Sequence, residues 1–382
     1  MSENPHTRES PDPLPVFDVG AHDRDVRGEI EEAVARVLAS NWFILGPELE
    51  RFETAFASYL GDPDGEVIGV GSGTDALQLA LTAAGIGAGD SVLTVPNTAV
   101  PTVSAISATG ARPRFVDVDR STGLMDANLI ETALESDTRA IVPVHLYGRC
   151  APMAGIREIA QRRGLVVVED AAQAHGAALD GRPAGTWCEY GAFSFYPSKN
   201  LGAYGDGGAV WVRGPERAER VRRLRNYGQS DRYRHETVGI NSRLDEMQAA
   251  ILEVKLRHLD RWNRQRRERA VKLHQLLAGL PLVLPPAPAG PDDTACVFHL
   301  FVVRVADRDR VRAALADRGI STQVHYPVAV HLQPSYRYLG YGDGDFPEAE
   351  AWCREVLSLP FSPVLGENDL KRVADALRSA LI

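Results

Sequence analysis

Between residues 48 and 60 the chain reads ELERFETAFASYL, and Leu49, Phe52, Phe56 and Leu60 recur at three- and four-residue intervals, the spacing of one helical face. The stretch from Asp23 has the same character, and NWFILGP at 41–47 interrupts the helical pattern between the two. Beyond residue 60 the chain turns to short apolar runs, each followed by helical periodicity. VIGV at 67–70 leads into 74–84, SVLTV at 91–95 into 100–109, PRFVD at 113–117 into 128–135, and AIVPV at 140–144 into 153–164. LVVV at 165–168 ends in two carboxylates, Glu169 and Asp170. Strands that are apolar on both sides and alternate with helices predict a parallel sheet covered on both faces, which is α/β architecture.

After Gly185 the rhythm changes. YGAFSFY at 190–196 and GAVWV at 208–212 read as strands separated by a Gly-rich loop. Between Gly239 and Gly279 the chain has neither Gly nor Pro, which predicts one long helix opened by a Ser242-x-x-Asp245 capping pattern. A Pro-rich stretch over 281–291 introduces a smaller C-terminal domain, with a strand at 299–304, a helix at 308–318 and a closing helix at 367–381.

Composition narrows the setting. The 382 residues, 44% hydrophobic and 24% charged, fit one large and one smaller globular domain and exclude disorder, collagen-like repeats and a coiled-coil rod. No apolar run approaches the roughly 18 residues of a membrane span. The opening MSENPHTRESPDPLP is polar and Pro-rich and reads as the start of a flexible tail over 1–22, not as a secretory signal. A net charge of -9 argues against nucleic-acid binding. The basic run RWNRQRRER at 261–269 reads accordingly as a solvated helix face. Cys150, Cys188, Cys296 and Cys353 are scattered without metal-ligand or disulfide spacing, which suits a reducing cytoplasm and no metal.

Three segments carry chemistry. GVGSGT at 69–74 lies between a strand and a helix, where free N–H groups of a helix start form a phosphate site, although an ordinary tight turn would read the same way. Glu169 and Asp170 follow an all-valine strand, which delivers a carboxylate to the sheet edge where open α/β proteins bind ligands. FSFYPSK at 193–199 sets Lys199 after an aromatic strand and before a glycine-rich loop, and a lysine desolvated there becomes a usable amine nucleophile. A phosphate cradle, a carboxylate and such a lysine together match the needs of pyridoxal 5'-phosphate (PLP).

Six motifs then fall in a familiar order: GSGTDAL at 71–77, VPVHLYG at 142–148, VEDAAQAHG at 168–176, FSFYPSKN at 193–200, YGDGG at 204–208 and GINSRLDEMQA at 239–249. Together they resemble the nucleotide-sugar aminotransferases of the DegT/DnrJ/EryC1/StrS family. The resemblance implies a PLP-dependent transferase of fold type I. Its large domain would hold a mixed, mostly parallel sheet over 23–252, followed by a linking helix and a small C-terminal α+β domain over 253–382. It also implies a homodimer with shared active sites, while composition and charge point to a cytoplasmic protein that binds neither nucleic acid nor membrane.

By the same resemblance Lys199 is the Schiff-base lysine and proton carrier, and Asp170 keeps the ring nitrogen protonated. Gln173 would bond the cofactor's 3'-oxygen, while Gly73, Thr74 and Ser194 hold its phosphate, joined by Asn241 from the other subunit. An aromatic residue that stacks on the ring in many members falls at Ala99 here, leaving Asn97, Thr98 and His145 as candidates for that cover. Tyr196, His325 and Tyr326 would line the sugar pocket, and Arg225 and Arg243 are candidates for the donor's carboxylates. The combination of residues 97–102, 145–147, 196–197 and 203–206 is similar to the branch acting on dTDP-3-keto-6-deoxyhexoses. Such enzymes make 3-amino sugars of the kind attached to macrolide antibiotics and surface glycans, and the reaction expected here takes its amine from L-glutamate and cycles the cofactor through pyridoxamine 5'-phosphate. A dTDP-4-keto-6-deoxyhexose is the alternative substrate.

Overall fold

The structure is a computed structural model that describes residues 13–17, 19–20 and 23–381. A seven-stranded sheet organises the larger part: β1 (Gly65–Val70), β2 (Ser91–Thr94), β3 (Arg112–Phe115), β4 (Thr138–Ile141), β5 (Val166–Asp170), β6 (Tyr190–Ser194) and β7 (Gly208–Arg213). Their spatial order is β1-β7-β6-β5-β4-β2-β3. β7 runs antiparallel to both its neighbours and the remaining pairs are parallel, giving the mixed, mostly parallel sheet that was expected.

Apolar strands follow from cover on both faces. One face buries Ile68, Val142, Val168 and Val210 against α3 (Gly73–Ala83) and its neighbours. The other buries Leu93, Phe115 and Ile141 at one end, and Phe193 and Trp211 at the other. The amphipathic pattern at the start resolves into α1 (Arg27–Ser40) and α2 (Pro47–Leu60). The expected face of α2, Leu49, Phe52, Phe56 and Leu60, is fully buried. Its N-terminus is capped from far along the chain: the Glu246 carboxylate accepts from the N–H groups of Gly46 (2.7 Å), Glu48 (2.8 Å) and Leu49 (3.1 Å).

Two expectations for 239–279 need correction. The single long helix is two, Glu246–Leu256 and Leu259–Leu277, which meet at Arg257 and His258 without a Gly or Pro to mark the bend. The expected boundary at 252/253 falls inside the first of them. Ser242 does not cap it, since the N-cap is Asp245. The Ser242 hydroxyl instead donates to Asp75 (2.6 Å) and accepts from the Gly71 N–H (2.9 Å), which pins the start of α3. The basic run is only partly a solvated face. Arg261 and Arg264 are exposed, while Trp262, Asn263, Arg266 and Arg267 are buried. Arg266 and Arg267 donate to the carbonyls of Phe298 and Pro291, holding the Pro-rich crossing against the helix.

In the smaller part, strands Phe301–Arg304 and Val356–Leu359 pair antiparallel, and helices Arg308–Ala316, Pro347–Glu355 and Glu367–Leu381 pack around them. Of the tail expected over 1–22, residues 1–12, 18, 21 and 22 lie outside the described residues. Residues 13–17 are docked on the smaller part rather than loose, with the Leu14 N–H donating to Gly319 O at 2.8 Å and the Ser321 N–H to Leu14 O at 3.0 Å. The four cysteines are free and buried. Among the described residues no helix is long and apolar enough to cross a membrane.

Candidate active site

Side chains alternate along a strand, so the last two residues of β5 point to opposite sides. Glu169 is fully buried and accepts four hydrogen bonds, from the N–H groups of Gly185 (2.8 Å), Trp187 (2.6 Å) and Cys188 (3.1 Å) and from His145 Nε2 (3.1 Å). His145 Nδ1 accepts from the Ala151 N–H at 2.9 Å, which places the ring proton on Nε2, facing Glu169. Asp170 accepts only two, from the Thr102 hydroxyl (2.8 Å) and the Ala172 N–H (3.2 Å). Burial raises the Asp170 carboxyl above its ordinary value, opposed by those two bonds and by the charge of Lys199.

Thr102 was not singled out from the sequence. It lies in the first turn of α4 (Val100–Ala108), four residues after Thr98, and the two hydroxyls are 2.9 Å apart. Because the Thr102 proton is directed at Asp170, Thr98 donates to Thr102. This gives a hydroxyl chain ending on the carboxylate. The i, i+4 threonine spacing at a helix start was the available signal.

Lys199 follows β6 in a turn closed by its own N–H to Tyr196 O at 2.8 Å. The loop beyond folds back tightly: a Cβ on Gly202 would stand 2.5 Å from Pro197 O, so only glycine fits. Asn200 fixes the loop from beneath, donating to Asn263 Oδ1 (2.9 Å) and Val297 O (3.2 Å), while His299 Nδ1 lies 3.3 Å from its carbonyl oxygen. Lys255 supports the same loop with a 2.9 Å bond to Gly202 O and a buried ion pair to Asp23 at 2.8 Å. The Lys199 amine itself has no hydrogen bond or ion pair to a described residue. Burial lowers it to about 8, with Asp170 pulling the other way.

This amine borders a cavity of about 420 Å³ lined by Phe17, Gln173, Tyr196, His299, Leu300, His325 and Tyr326, among others. The expected sugar-pocket residues Tyr196, His325 and Tyr326 thus meet around Lys199. Gln173 accepts from the Tyr147 N–H (2.6 Å) and donates to the Tyr326 hydroxyl (3.2 Å), whose proton burial holds up to about 12. His325 Nδ1 is 2.8 Å from the Ser358 hydroxyl, and burial beside Lys199 lowers its imidazole to about 4. His299 is likewise kept neutral by burial and by Lys199. A larger hollow of about 890 Å³ beside α2, lined by Glu50, Glu53, Arg222 and Arg225, contains none of this set.

The segment expected to hold a phosphate forms the start of α3. Its first-turn N–H groups, those of Gly73 and Thr74 included, have no intrahelical acceptor. Gly73 sits so close to Ser194 that a Cβ there would be 2.6 Å from the serine Cβ. The helix N-terminus and the Ser194 hydroxyl therefore share one small space five residues upstream of Lys199. Donors for a phosphate, an unpaired amine and a carboxylate with acceptor capacity to spare fit PLP.

Three expected residues sit elsewhere. Asn241 is exposed and precedes the helix cap by four residues, away from this chain's own cavity. Arg225 is buried against Glu53 (2.6 Å) and Gly69 O (2.7 Å), so its charge is already matched and a donor carboxylate would have to displace it. Arg243 bonds Asn226 at 3.1 Å and lies over the Tyr227 ring. Of the ring-cover candidates, Asn97 donates to Gly123 O at 3.2 Å, while Thr98 and His145 are committed to the bonds given above.

Comparison with known proteins adds the context. Residues 24–378 match the model of the DegT/DnrJ/EryC1/StrS aminotransferase family. Over 365 residues, 96% of this chain and 95% of the relative, the sequence is 50% identical to a dTDP-3-amino-3,4,6-trideoxy-alpha-D-glucose transaminase of Streptomyces venezuelae. The fold superposes with a TM-score of 0.92 on the crystal structure of S. venezuelae DesV in complex with a ketimine intermediate, at 50% identity and covering 96% of this chain and 98% of that one. It superposes with a TM-score of 0.89 on NtdA from Bacillus subtilis with bound cofactor PMP, at 30% identity and covering 98% and 87% of the two chains.

Proposed function

Since the chain belongs to the DegT/DnrJ/EryC1/StrS aminotransferase family and is a PLP-dependent transaminase of fold type I, we propose that it transfers the amino group of L-glutamate to a dTDP-linked 3-keto-6-deoxyhexose. The product is then a dTDP-3-amino-3,6-dideoxyhexose or a further deoxygenated form, made in the cytoplasm for an antibiotic or surface glycan. The observation that carries this reading is the Lys199 amine, desolvated to about 8 and unpaired at the edge of a 420 Å³ cavity beside Asp170. The 3-keto choice draws on the name of the Streptomyces relative.

When bound, PLP supplies an electron-withdrawing ring that stabilises the negative charge left at a deprotonated substrate carbon. Lys199 Nζ holds the cofactor at rest and, when free, takes and returns the substrate proton. Asp170, supported by Thr102 and the Ala172 N–H, keeps a proton on the ring nitrogen. The helix start at Gly73 and Thr74, with Ser194, binds the phosphate. Gln173 positions the ring's 3'-oxygen side, and its bond to Tyr326 ties that position to the sugar pocket. Neutral His325, Tyr326 and Tyr196 receive the hexose.

Asn241 serves the partner's phosphate site in a homodimer, a role that suits its exposure here. Trp42, Phe43, Tyr227 and Tyr233, all exposed in the single chain, suit burial at that contact.

Purified protein should show the visible absorption of lysine-bound PLP and, given glutamate and the ketosugar nucleotide, yield a product whose nitrogen NMR assigns to C3. Lys199→Ala should lose both the absorption and the turnover. Nitrogen on C4 would overturn the regiochemistry, and an unchanged Lys199→Ala spectrum would overturn the whole assignment.

A further inference from the structure

Phe17 stands in a stretch that its polar, Pro-rich surroundings assign to a loose tail, yet it lines the same cavity as Lys199. Its backbone is fixed from the preceding residues. Leu14 is bonded to Gly319 and Ser321 and packs into the core of the smaller part, while buried Val16 accepts from the Phe361 N–H at 3.3 Å. The Phe17 ring then stacks on His299, with centroids 6.2 Å apart and planes 26° from parallel. It meets His325 edge-on at 6.0 Å and 69°. Both imidazoles are held from elsewhere, His299 by Asn200 and His325 by Ser358. The phenyl ring is therefore set by packing between fixed neighbours.

The chemistry of that wall is specific. Phe17, Leu300 and two imidazoles kept neutral by burial give it no charge, and the Tyr326 hydroxyl oxygen accepts from Gln173. The same cavity holds the polar groups of Lys199 and Gln173. A hexose that turns its ketone to Lys199 has Phe17 and Leu300 among the groups that line the rest of the cavity. A 6-deoxy sugar has a methyl group and ring C–H bonds to place there, and such groups gain from contact with an aromatic face. We propose that Phe17 is a specificity-determining residue, packing against the apolar side of the deoxyhexose and disfavouring a sugar that brings a hydroxyl to that position. This rests on the sugar-nucleotide reading above.

The test compares wild type, Phe17→Ala and Phe17→Leu. Calorimetry on the apoproteins measures binding of dTDP-6-deoxyglucose, dTDP-glucose and dTDP alone, and loss of the visible band follows the glutamate half-reaction of the PLP-loaded proteins. Wild type should favour the 6-deoxy sugar by about tenfold or more, within the range one apolar contact provides. Phe17→Ala should bring the two sugars toward parity while dTDP binding and the glutamate half-reaction stay within about twofold. Phe17→Leu, which restores an apolar side chain, should recover most of the preference. A Phe17→Ala protein that keeps the full preference overturns the inference, as does one that weakens sugar, dTDP and glutamate reactions alike. A wild type that binds no dTDP-sugar overturns the sugar-nucleotide reading and this inference with it, whereas an unaltered Phe17→Ala preference overturns this inference alone.

Discussion

Glu169 and Asp170 are consecutive residues of one strand, both carboxylates and both buried, yet the two faces of β5 treat them differently. On the Glu169 side, three backbone N–H groups and an imidazole saturate both oxygens. That carboxylate closes the 185–188 turn and has nothing left to offer a ligand. On the Asp170 side there are only two donors among the described residues, and they do not offset the rise that burial imposes on the carboxyl. An unsaturated buried carboxylate costs stability when the site is empty, and a ring N–H⁺ would relieve that cost. Saturation of the acceptor, and not depth of burial, separates the carboxylate committed to the fold from the one left open to a ligand.

The sharpest way to break that comparison is to neutralise each carboxylate isosterically. Asp170→Asn should fold with stability unchanged or raised, since a strained charge is removed, while kcat falls by about a hundredfold or more, the scale of losing one electrostatic group at a reacting centre. Glu169→Gln should do the reverse. Its new NH2 would face N–H donors, a mismatch worth about 2–4 kcal/mol, so calorimetry should show a melting temperature several degrees lower, with kcat per folded molecule within a few-fold. Loss of activity in Glu169→Gln at unchanged melting temperature would erase the distinction.

The next prediction sharpens the comparison on the functional side. Thr102 supplies one of the two donors to Asp170 and is itself fed by Thr98. Thr102→Val keeps the shape and removes the hydroxyl, which should lower kcat and PLP affinity by about tenfold, the worth of one hydrogen bond to a charge. Thr102→Ser should restore both. An effect on melting temperature alone, with kcat and PLP affinity intact, would make Thr102 a packing residue.

How much of this was legible follows from how far apart in sequence each part lies. Strand β5, Asp170, Gln173, Lys199 and the glycines around them belong to contiguous segments, and the strand-end geometry follows from the apolar run itself. What escaped was assembled across distance. Glu246 caps a helix two hundred residues away, Thr102 reaches Asp170 from another βα unit, and Phe17 meets His299 and His325 only after folding. No local pattern marks such meetings. The bend at Arg257 and His258 was invisible for a different reason, since neither Gly nor Pro produces it. Helix Pro215–Leu224, with six of its ten residues charged, has an apolar stripe of only Ala218, Val221 and Leu224, too narrow for the pattern to announce it. In the 261–269 run, charge was read as exposure, although Arg266 and Arg267 are buried by the carbonyls they bind.

The smallest expected effect is on pH dependence, and it tests whether Asp170 acts on Lys199 as well as on a ligand. Burial lowers the Lys199 amine from 10.5 to about 8, and the Asp170 charge limits that fall. Only the neutral amine attacks the PLP aldehyde, so uptake by apoprotein, followed by visible absorbance, should rise from pH 7, level off above about 8 and gain about tenfold between pH 7 and 9. The sign for stability follows from the same shift. Below about 8 the folded and unfolded forms both hold the proton, and between about 8 and 10.5 the unfolded form holds more, so this group makes the apoprotein more stable as pH rises through that window. In Asp170→Asn the restraining charge is gone, and the uptake inflection should move to lower pH by a fraction of a unit. An inflection that stays put, or moves upward, would mean that the two groups do not share a field, and that Asp170 is tuned for its ligand alone.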